Sequence, residues 1–313
     1  MRIIFMGNPG FAVPSLERLH QEKHQIAAVV TNPDKPSGRG RKLNPPAVKL
    51  KARELGLDVI QPAKIKDRQF IDRLYELEPE LFVIVAFRIL PKKLLEIPRK
   101  GSINLHASLL PRYRGAAPIN WAIIKGEKET GISTFFLKPK VDTGDIILQE
   151  KVEIPPDMVY GQLYEELAVK GADVLAESVK LIEQDKINPI PQDESMASHA
   201  PKITPELCEI DFNRNCRQVA DLIRGLSPKP GATTSFRDRK IKLLRADCIE
   251  GNPGGEAGEI RIDEKSKDML VSCADGCLRI LTLQPAGKKP MDARGFFNGY
   301  HPETGEKMGG RAV

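Results

Sequence analysis

The feature that most constrains the fold is an alternation of apolar, strand-like runs with helical segments in the first third of the 313-residue chain. The strand-like runs are RIIFM, IAAVVT, DVIQP, LFVIVAF and GSINLHAS, beginning at residues 2, 26, 58, 81 and 101. LFVIVAF is apolar throughout, which is typical of a strand covered on both faces. Strands that alternate with helices in this way predict an α/β domain with a doubly wound, Rossmann-like parallel sheet.

The turn after the first strand indicates which class of ligand such a sheet would bind. Dinucleotide-binding sheets carry GxGxxG at this turn, whereas GNPGFAVP offers only Gly7 and Gly10. We interpret both as turn glycines, with close approach of the backbone to a ligand as the alternative. The sequence therefore does not predict a dinucleotide.

The last third of the chain has a different pattern. Residues 188–206 hold four prolines and no periodicity, which indicates a linker. A helical face follows, with apolar residues at i, i+3, i+4 and i+7: Val219, Leu222, Ile223 and Leu226. The short runs KIKLLRADC, GEIRID, DMLVSC and CLRILTLQ then predict a smaller β-barrel of the oligonucleotide-binding type. We expect a catalytic domain over 1–188, a linker over 189–206 and the barrel domain over 207–313.

Composition excludes a disordered chain, a fibrous chain and a chain that spans a membrane. The chain is 41% apolar and 29% charged, as expected of a globular protein, and it contains no run of 18 apolar residues. Its five cysteines have no CxxC spacing, so we expect reduced thiols in a cytoplasmic protein, with Cys273 and Cys277 as small buried residues. The net charge of +6 permits an anionic partner.

A polar row interrupts the strand that begins GSINLHAS. Because side chains alternate between the faces of a strand, Asn104, His106 and Ser108 share one face. The row could be satisfied by the protein's own hydrogen bonds, or it could point into a pocket. It lies at the carboxyl end of its strand, where open parallel sheets bind their ligands, and this position favours function.

The turn VDTGD supplies a possible partner for the histidine. Asp145 is expected to cap its own backbone, whereas Asp142 could pair with His106 and hold it protonated. An Asn, a His and an Asp suit acyl transfer without a covalent nucleophile, since Asn and His can donate to a developing oxyanion. No GxSxG is present, and the scattered histidines lack the spacing of metal ligands, so no metal is expected.

These motifs together resemble a known family. NLHASLLPRYRGAAP followed by VDTGD is similar to the signature of the folate-dependent formyltransferases, and PDKPSGRGRKLNPPAVK, IRGLSPKPGA and LQPAGKKPM extend the similarity over nearly the whole chain. The resemblance implies 10-formyltetrahydrofolate as formyl donor and Asn104, His106 and Asp142 as catalytic residues. It also implies folate contacts from Ser108, Leu109, Leu110 and Pro111, and from Phe87, Arg88, Ile89 and Leu90. In the family the latter segment is one residue longer and contains a glycine.

The resemblance is strongest to the branch that acts on initiator methionyl-tRNA, which implies that tRNA as the acceptor. We expect the enzyme to be a monomer. The implied tRNA contacts are Lys35, Arg39, Arg41, Lys42, Lys288 and Lys289. We expect residues 32–49 to form an irregular, solvated loop, since four prolines interrupt them. The alternatives are an amino-sugar N-formyltransferase and a catalytically silent tRNA-binding protein.

Overall fold

The computed structural model describes residues 1–37, 42–252, 254–263, 266 and 268–309. The chain forms two compact units. The first comprises Met1–Ala116, Thr130–Glu153 and Tyr164–Ala200, and the second comprises Ala117–Glu129, Ile154–Leu163 and Pro201–Val313. The domain boundaries given above remain predictions.

The secondary structure follows the alternation read from the sequence. The strands up to residue 200 are β1 (Arg2–Gly7), β2 (Gln25–Val30), β3 (Lys35–Ser37), β4 (Lys42–Asn44), β5 (Val59–Ile60), β6 (Leu81–Val85), β7 (Ser102–His106), β8 (Arg114–Gly115), β9 (Glu129–Phe136), β10 (Ile146–Glu153) and β11 (His199–Ala200). The helices up to that point are α1 (Val13–Gln21), α2 (Ala47–Glu54), α3 (Arg68–Glu76), α4 (Lys92–Leu95), α5 (Pro118–Ile124) and α6 (Tyr160–Glu183). Short 3-10 turns occupy Gly10–Ala12 and Glu194–Met196.

A seven-stranded sheet organises the first unit, in the order β10-β9-β7-β6-β1-β2-β5. Strands β5, β2, β1, β6 and β7 lie side by side in this order and run parallel, which confirms the predicted doubly wound sheet. Strand β9 pairs with β7 antiparallel, so the sheet is mixed at this edge. The central strand β1 is fully buried from Ile3 to Met6, because helices such as α1 and α3 place apolar side chains against the sheet.

The second unit is built on an antiparallel sheet. Its elements are α7 (Cys216–Leu226), β12 (Ala232–Phe236), β13 (Arg239–Glu250), β14 (Ile260–Ile262), β15 (Met269–Ser272), β16 (Gly276–Pro285), β17 (Met291–Asp292) and α8 (Ala293–Tyr300). The strand order is β12-β13-β16-β15-β14, and β17 also pairs with β16. The four apolar residues predicted to line one face of α7 are all buried in the core of this unit.

The C-terminal segment closes this sheet. Met308 bridges to Phe236 at the end of β12, and Lys307 bridges to Glu259 beside β14. Further backbone hydrogen bonds join Met308 to Gly258 and Gly309 to Ser235. The two edge strands of the sheet are therefore connected through residues 307–309, as the expected barrel requires.

The cysteines behave in two ways. Cys208, Cys273 and Cys277 are buried thiols, and burial raises the pKa of Cys273 to about 12, which disfavours the thiolate. Cys216 and Cys248 form a disulfide, so the expectation of reduced thiols is wrong for this pair. The two lie on α7 and β13, and their separation of 32 residues gives no local signal of pairing.

The described parts of residues 32–49 are more ordered than expected. Strands β3 and β4 form a hairpin in which Lys35 faces Asn44 and Ser37 faces Lys42, so the expectation of an irregular loop is wrong at its base. A two-stranded hairpin tolerates Pro36, because an edge strand does not need every N–H group for pairing. Arg39 and Arg41 lie outside the described residues.

Lys49, the last residue of the segment expected to form an irregular loop, is part of a helix. It lies on α2, where its ammonium is buried and makes an ion pair with both carboxylate oxygens of Asp34 at 2.7 Å. Gln61 donates a further hydrogen bond to Asp34 at 2.9 Å. Lys49 therefore fixes the base of the hairpin.

Among the described helices, none is long and apolar enough to cross a membrane.

Candidate active site

Strand β7 places the polar row at the carboxyl edge of the parallel sheet. It pairs with β6 on one side and β9 on the other, so that Asn104 lies opposite Ile84 and Phe135. Asn104 is half-buried, and its side-chain amide makes no hydrogen bond to another described residue. His106, the last residue of the strand, is only 6% exposed. Asn104 and His106 thus differ: the protein holds the imidazole of His106, whereas the amide of Asn104 is available to a ligand.

The imidazole of His106 lies between two acceptors. Its Nε2 is 2.9 Å from the carbonyl oxygen of Tyr113, and since a carbonyl only accepts, Nε2 carries a hydrogen and donates. Its Nδ1 is 3.9 Å from Oδ2 of Asp142, too far for a hydrogen bond but close enough for a charge interaction. Nδ1 therefore faces the carboxylate without a hydrogen bond to another described residue and stays available to a ligand.

Asp142 is held in an unusual conformation by its turn. Its φ of +51° lies in the left-handed region, and its Oδ2 accepts a hydrogen bond from the backbone N–H of Gly115 at 2.9 Å. Two residues later, a Cβ at Gly144 would overlap the carbonyl oxygen of Phe136, so only glycine fits there. The VDTGD motif thus aims the carboxylate of Asp142 at His106, as the sequence predicted.

The second aspartate of the motif has a different role from the one expected. The carboxylate of Asp145 pairs with the ammonium of Lys138 at 2.9 Å. Its backbone carbonyl accepts from the N–H of Phe136. The expectation that Asp145 caps its own backbone is therefore wrong, and the reason is that β9 brings Lys138 alongside the turn.

Ser108 is part of the scaffold of the site. Its side chain is fully buried, and its hydroxyl donates to the backbone carbonyl of Arg112 at 2.7 Å. Among the described residues no basic side chain hydrogen-bonds to this hydroxyl, so Ser108 is not placed as a nucleophile. The arrangement of Asn104, His106 and Asp142 therefore offers donors and a carboxylate for acyl transfer to an external amine.

The predicted folate segment 87–90 follows β6 at the same edge of the sheet. Within the described chain, none of its four backbone N–H groups has a hydrogen-bond acceptor. Phe87 and Arg88 are half-buried, whereas Ile89 is 70% exposed. Backbone N–H groups without an internal acceptor beside an exposed apolar side chain fit a flat heterocycle with polar edges, such as a pterin.

Arg88 lies in the part of this segment that is one residue shorter than in the family it resembles. Its guanidinium lies over the ring of Phe87 at 5.2 Å and donates to the carbonyl oxygen of Pro62 at 3.0 Å. Burial lowers the pKa of Arg88, and its Nε is buried without a hydrogen-bond partner. Arg88 therefore ties this segment to the loop after β5.

The second predicted folate segment, residues 108–111, uses most of its polar groups internally. The N–H of Leu110 donates to Ser133, and the carbonyl of Leu110 accepts from Gln149. The carbonyl of Pro111 accepts from the N–H of Ser198. What this segment offers a ligand is the apolar surface of Leu109 and Pro111, which are both partly exposed. Its role in folate binding remains a prediction.

Sequence reasoning missed a group of residues behind Asp142. Gln192 and Glu194 come from the segment expected to be a linker, and they contact the buried guanidinium of Arg114. Strand β11 of the same segment pairs in parallel with β8. The sequence from 188 to 206 shows only prolines and polar residues, so the one signal was the polar run QDES inside it.

Basic side chains on both units are available for an anionic partner. Lys35, Lys288 and Lys289 are exposed, and none has a carboxylate partner among the described residues. Lys42 pairs through its backbone in β4, and its side chain is outside the description. The sequence analysis missed Lys240 and Lys242, which alternate with buried Ile241 and Leu243 along β13 and therefore face outward.

Described residues of the types His, Cys, Asp and Glu form no cluster that could hold a metal ion.

Comparison with solved structures supports the fold. The sugar 3N-formyl transferase WlaRD superposes with a TM-score of 0.67 at 20% identity, over 92% of this chain and 99% of that one. The N-formyltransferase from Helicobacter canadensis gives 0.66 at 20% identity, over 90% and 98%. At this level of identity the similarity establishes the fold and no more.

Comparison with known sequences establishes the family. The formyl transferase model matches residues 1–179, and the model of the formyl transferase C-terminal domain matches residues 202–301. Methionyl-tRNA formyltransferase of Moorella thermoacetica is 44% identical over 99% of both chains, and that of Ruminiclostridium cellulolyticum is 45% identical over 99% of this chain and 100% of its own. This chain belongs to the formyl transferase family, in the group whose curated members are named methionyl-tRNA formyltransferase.

Proposed function

We propose that this protein transfers the formyl group of 10-formyltetrahydrofolate to the α-amino group of methionine on initiator methionyl-tRNA. The observation that carries the proposal is the convergence of Asn104, His106 and Asp142 at the carboxyl edge of the sheet in a chain 44% identical, end to end, to a methionyl-tRNA formyltransferase. We propose that it acts in the cytoplasm as a monomer, where charged tRNA and folate are both present.

Asn104 and His106 supply the donors that the reaction needs. When the amine attacks the formyl carbon, negative charge develops on the formyl oxygen, and preorganised N–H groups lower the barrier. The amide of Asn104 is uncommitted, and the Nδ1–H of His106 lies 3.9 Å from Asp142 without a hydrogen bond. Both groups are therefore available to donate to that oxygen.

Asp142 completes the chemistry in two ways. Its Oδ2 stabilises the protonated imidazole of His106, while its Oδ1 has no hydrogen-bond donor among the described residues. An α-amino group has an ordinary pKa of about 8, so a neutral amine is available near neutral pH but must lose a proton after attack. Oδ1 of Asp142 is free to accept that proton. Collapse of the tetrahedral intermediate then breaks the bond between the formyl carbon and N10 of the folate, which takes up a proton and leaves as tetrahydrofolate.

The acceptor follows from the charges and from the relatives. The exposed lysines of the hairpin and of the turn after β16 lack carboxylate partners in the described chain, which suits phosphate contacts. Relatives named for methionyl-tRNA match nearly the full length, whereas the sugar formyltransferases are only 20% identical. These two observations favour the tRNA acceptor over an amino sugar.

The proposal is tested by offering the purified protein 10-formyltetrahydrofolate with three acceptors in parallel: charged initiator tRNA, methionine charged on an elongator tRNA, and a nucleotide-linked amino sugar. We expect rapid formylation of the initiator tRNA alone. Preference for the amino sugar would contradict the acceptor assignment. Tight tRNA binding without transfer to any acceptor would instead identify a silent tRNA-binding protein.

A further inference from the structure

We infer that Gln192 and Arg114 are positioning residues that hold the carboxylate of Asp142 in register with His106. The inference rests on the proposed formyl transfer and adds to it a second layer of residues, which comes from a segment that looked like a linker. These residues do not touch the reacting atoms in this arrangement. They act through Asp142.

Gln192 grips the VDTGD turn from behind. Its side-chain nitrogen donates to the backbone carbonyl of Asp142 at 3.0 Å and to that of Gly144 at 2.8 Å. One amide group thus spans the turn on both sides of Thr143. Because Asp142 is in the left-handed region at φ +51°, its carboxylate points at His106 only while the turn keeps this shape.

Arg114 fixes the orientation of that amide. Its Nε and Nη2 donate to Oε1 of Gln192 at 3.0 and 2.7 Å, which forces the nitrogen of Gln192 toward the turn. The same guanidinium makes a two-pronged ion pair with Glu194, at 3.1 Å to Oε2 and 2.8 Å to Oε1. Arg114 is 5% exposed, so the planar fork is locked in place.

The backbone beside Arg114 holds the other end of Asp142. The N–H of Gly115 donates to Oδ2 of the carboxylate at 2.9 Å. Gly115 is itself fixed by the pairing of β8 with β11, and a Cβ there would lie 2.7 Å from the carbonyl oxygen of Ala200. Two neighbouring residues of β8 therefore set both the main chain and the carboxylate of Asp142.

The consequence is a carboxylate held from two directions at 3.9 Å from the imidazole. A displacement of about 1 Å at a catalytic group costs roughly 10²-fold in rate. Loss of the grip on the turn should therefore lower the rate of the chemical step, while the surfaces that bind the two substrates are unchanged.

The test is Gln192→Glu, which keeps the size of the side chain and an acceptor for Arg114. It replaces the nitrogen that faces two carbonyls with an oxygen, so the grip becomes a repulsion. We expect kcat for formylation of initiator tRNA to fall at least tenfold, with KM for folate and for tRNA within about threefold and the melting temperature close to wild type. Gln184→Glu is the matched control and should leave kcat unchanged, because it makes the same substitution at an exposed residue just after α6 whose side chain makes no hydrogen bond to another described residue.

A double-mutant cycle separates positioning from a general structural role. If Gln192 acts through Asp142, Gln192→Glu should cost little more in an Asp142→Asn background, whereas independent effects would add. Wild-type kcat in Gln192→Glu, a loss confined to KM, or additive losses would each overturn the inference and leave the proposed function intact. A wild-type protein without transfer activity would refute both. Should Gln192→Glu fail to fold, Gln192→Ala is measured by the same criteria.

Discussion

Asn104 is the member of the site that the protein does not use for its own structure. His106 is bonded to Tyr113 and Asp142 to Gly115, but the amide of Asn104 makes no hydrogen bond in the described chain. Half-buried polar groups without a partner carry a free-energy cost that a bound ligand can remove. We therefore expect Asn104 to be the position at which effects on catalysis and on stability separate most cleanly.

We predict that Asn104→Ala lowers the turnover number by about 10²–10³-fold, the typical effect of removing one oxyanion donor. The melting temperature should not fall, since the substitution removes no hydrogen bond within the described chain. Steady-state formylation kinetics and thermal unfolding of the same preparation provide the measurement. Near-full activity of the variant would show that Asn104 is not a donor in the reaction.

A second prediction at this scale concerns Asp34 and the pH dependence of stability, without any effect on catalysis. The hydrogen bonds from Lys49 and Gln61 lower the pKa of Asp34 below its ordinary value of 3.8, so folding favours its ionised form. Its contribution to stability is therefore complete above that ordinary value and is lost as the pH falls through the lower folded value. Wild type should melt above Asp34→Asn at neutral pH, and the two melting curves should converge as the pH falls below about 4. A difference that stays constant down to about pH 3 would contradict this account.

At the scale of elements, periodic patterns in the sequence predicted the structure well. The parallel strands β1, β2, β5, β6 and β7, the buried face of α7 and the strands β13 to β16 were all identified, because alternation and helical spacing are local signals. The β3–β4 hairpin and the pairing of β8 with β11 were missed. These depend on partners at a distance, or on prolines that favour an irregular loop when only local sequence is considered.

The same distinction holds for the site. Asn104, His106 and Asp142 could be named because the two short motifs that carry them lie at strand ends. The hydrogen bonds from Gln192 to the turn could not be predicted, because Gly144 and Asp142 lie 48 and 50 positions before it in the chain. Gln192 itself lies in a proline-rich segment without periodicity. Contacts of this kind follow from the path of the chain, which local patterns do not record.

The hairpin itself yields a prediction about tRNA. We expect Arg39→Ala to weaken the use of initiator tRNA by at least about tenfold, which corresponds to roughly 1.4 kcal/mol. Trypsin should cut first between β3 and β4, where two arginines and a lysine follow one another closely, and bound initiator tRNA should slow this cleavage. Limited proteolysis with and without saturating tRNA checks the point. Equal rates of cleavage would refute contact of the hairpin with tRNA.

At the scale of the whole molecule, the units are not simple consecutive pieces of chain. The second unit includes residues 117–129 and 154–163, and the first extends to Ala200. A fragment cut near residue 190 would therefore lack Gln192 and β11, which support the active site. The contribution of the second unit to tRNA binding is better tested by exchanging its charges in the intact chain.

Lys288 and Lys289 provide that test. Both are exposed in the turn after β16, next to outward-facing Lys240 and Lys242, and the acidic residue nearby, Asp292, is used to cap α8. Replacing both lysines with alanine should weaken tRNA binding and reduce the slope of log affinity against log salt by about 0.7–0.9 for each phosphate that the protein no longer neutralises. Folate KM should be unchanged. Lys180→Ala, on α6 beside Glu177, is the control, and an identical slope in the double variant and the control would contradict a role in tRNA binding.

The most direct measurement of the central claim is a single-turnover assay of N-formylmethionine formed on initiator tRNA by wild type and by Asp142→Asn. Asparagine keeps the size of the side chain and an acceptor for the N–H of Gly115, but it removes the charge that faces His106 at 3.9 Å and the oxygen that takes the amine's proton. We predict rapid formation of N-formylmethionine by wild type and a rate at least about 10²-fold lower for Asp142→Asn, in line with the loss of preorganised electrostatic stabilisation. A wild-type protein that forms no N-formylmethionine, or an Asp142→Asn protein as fast as wild type, would contradict the account.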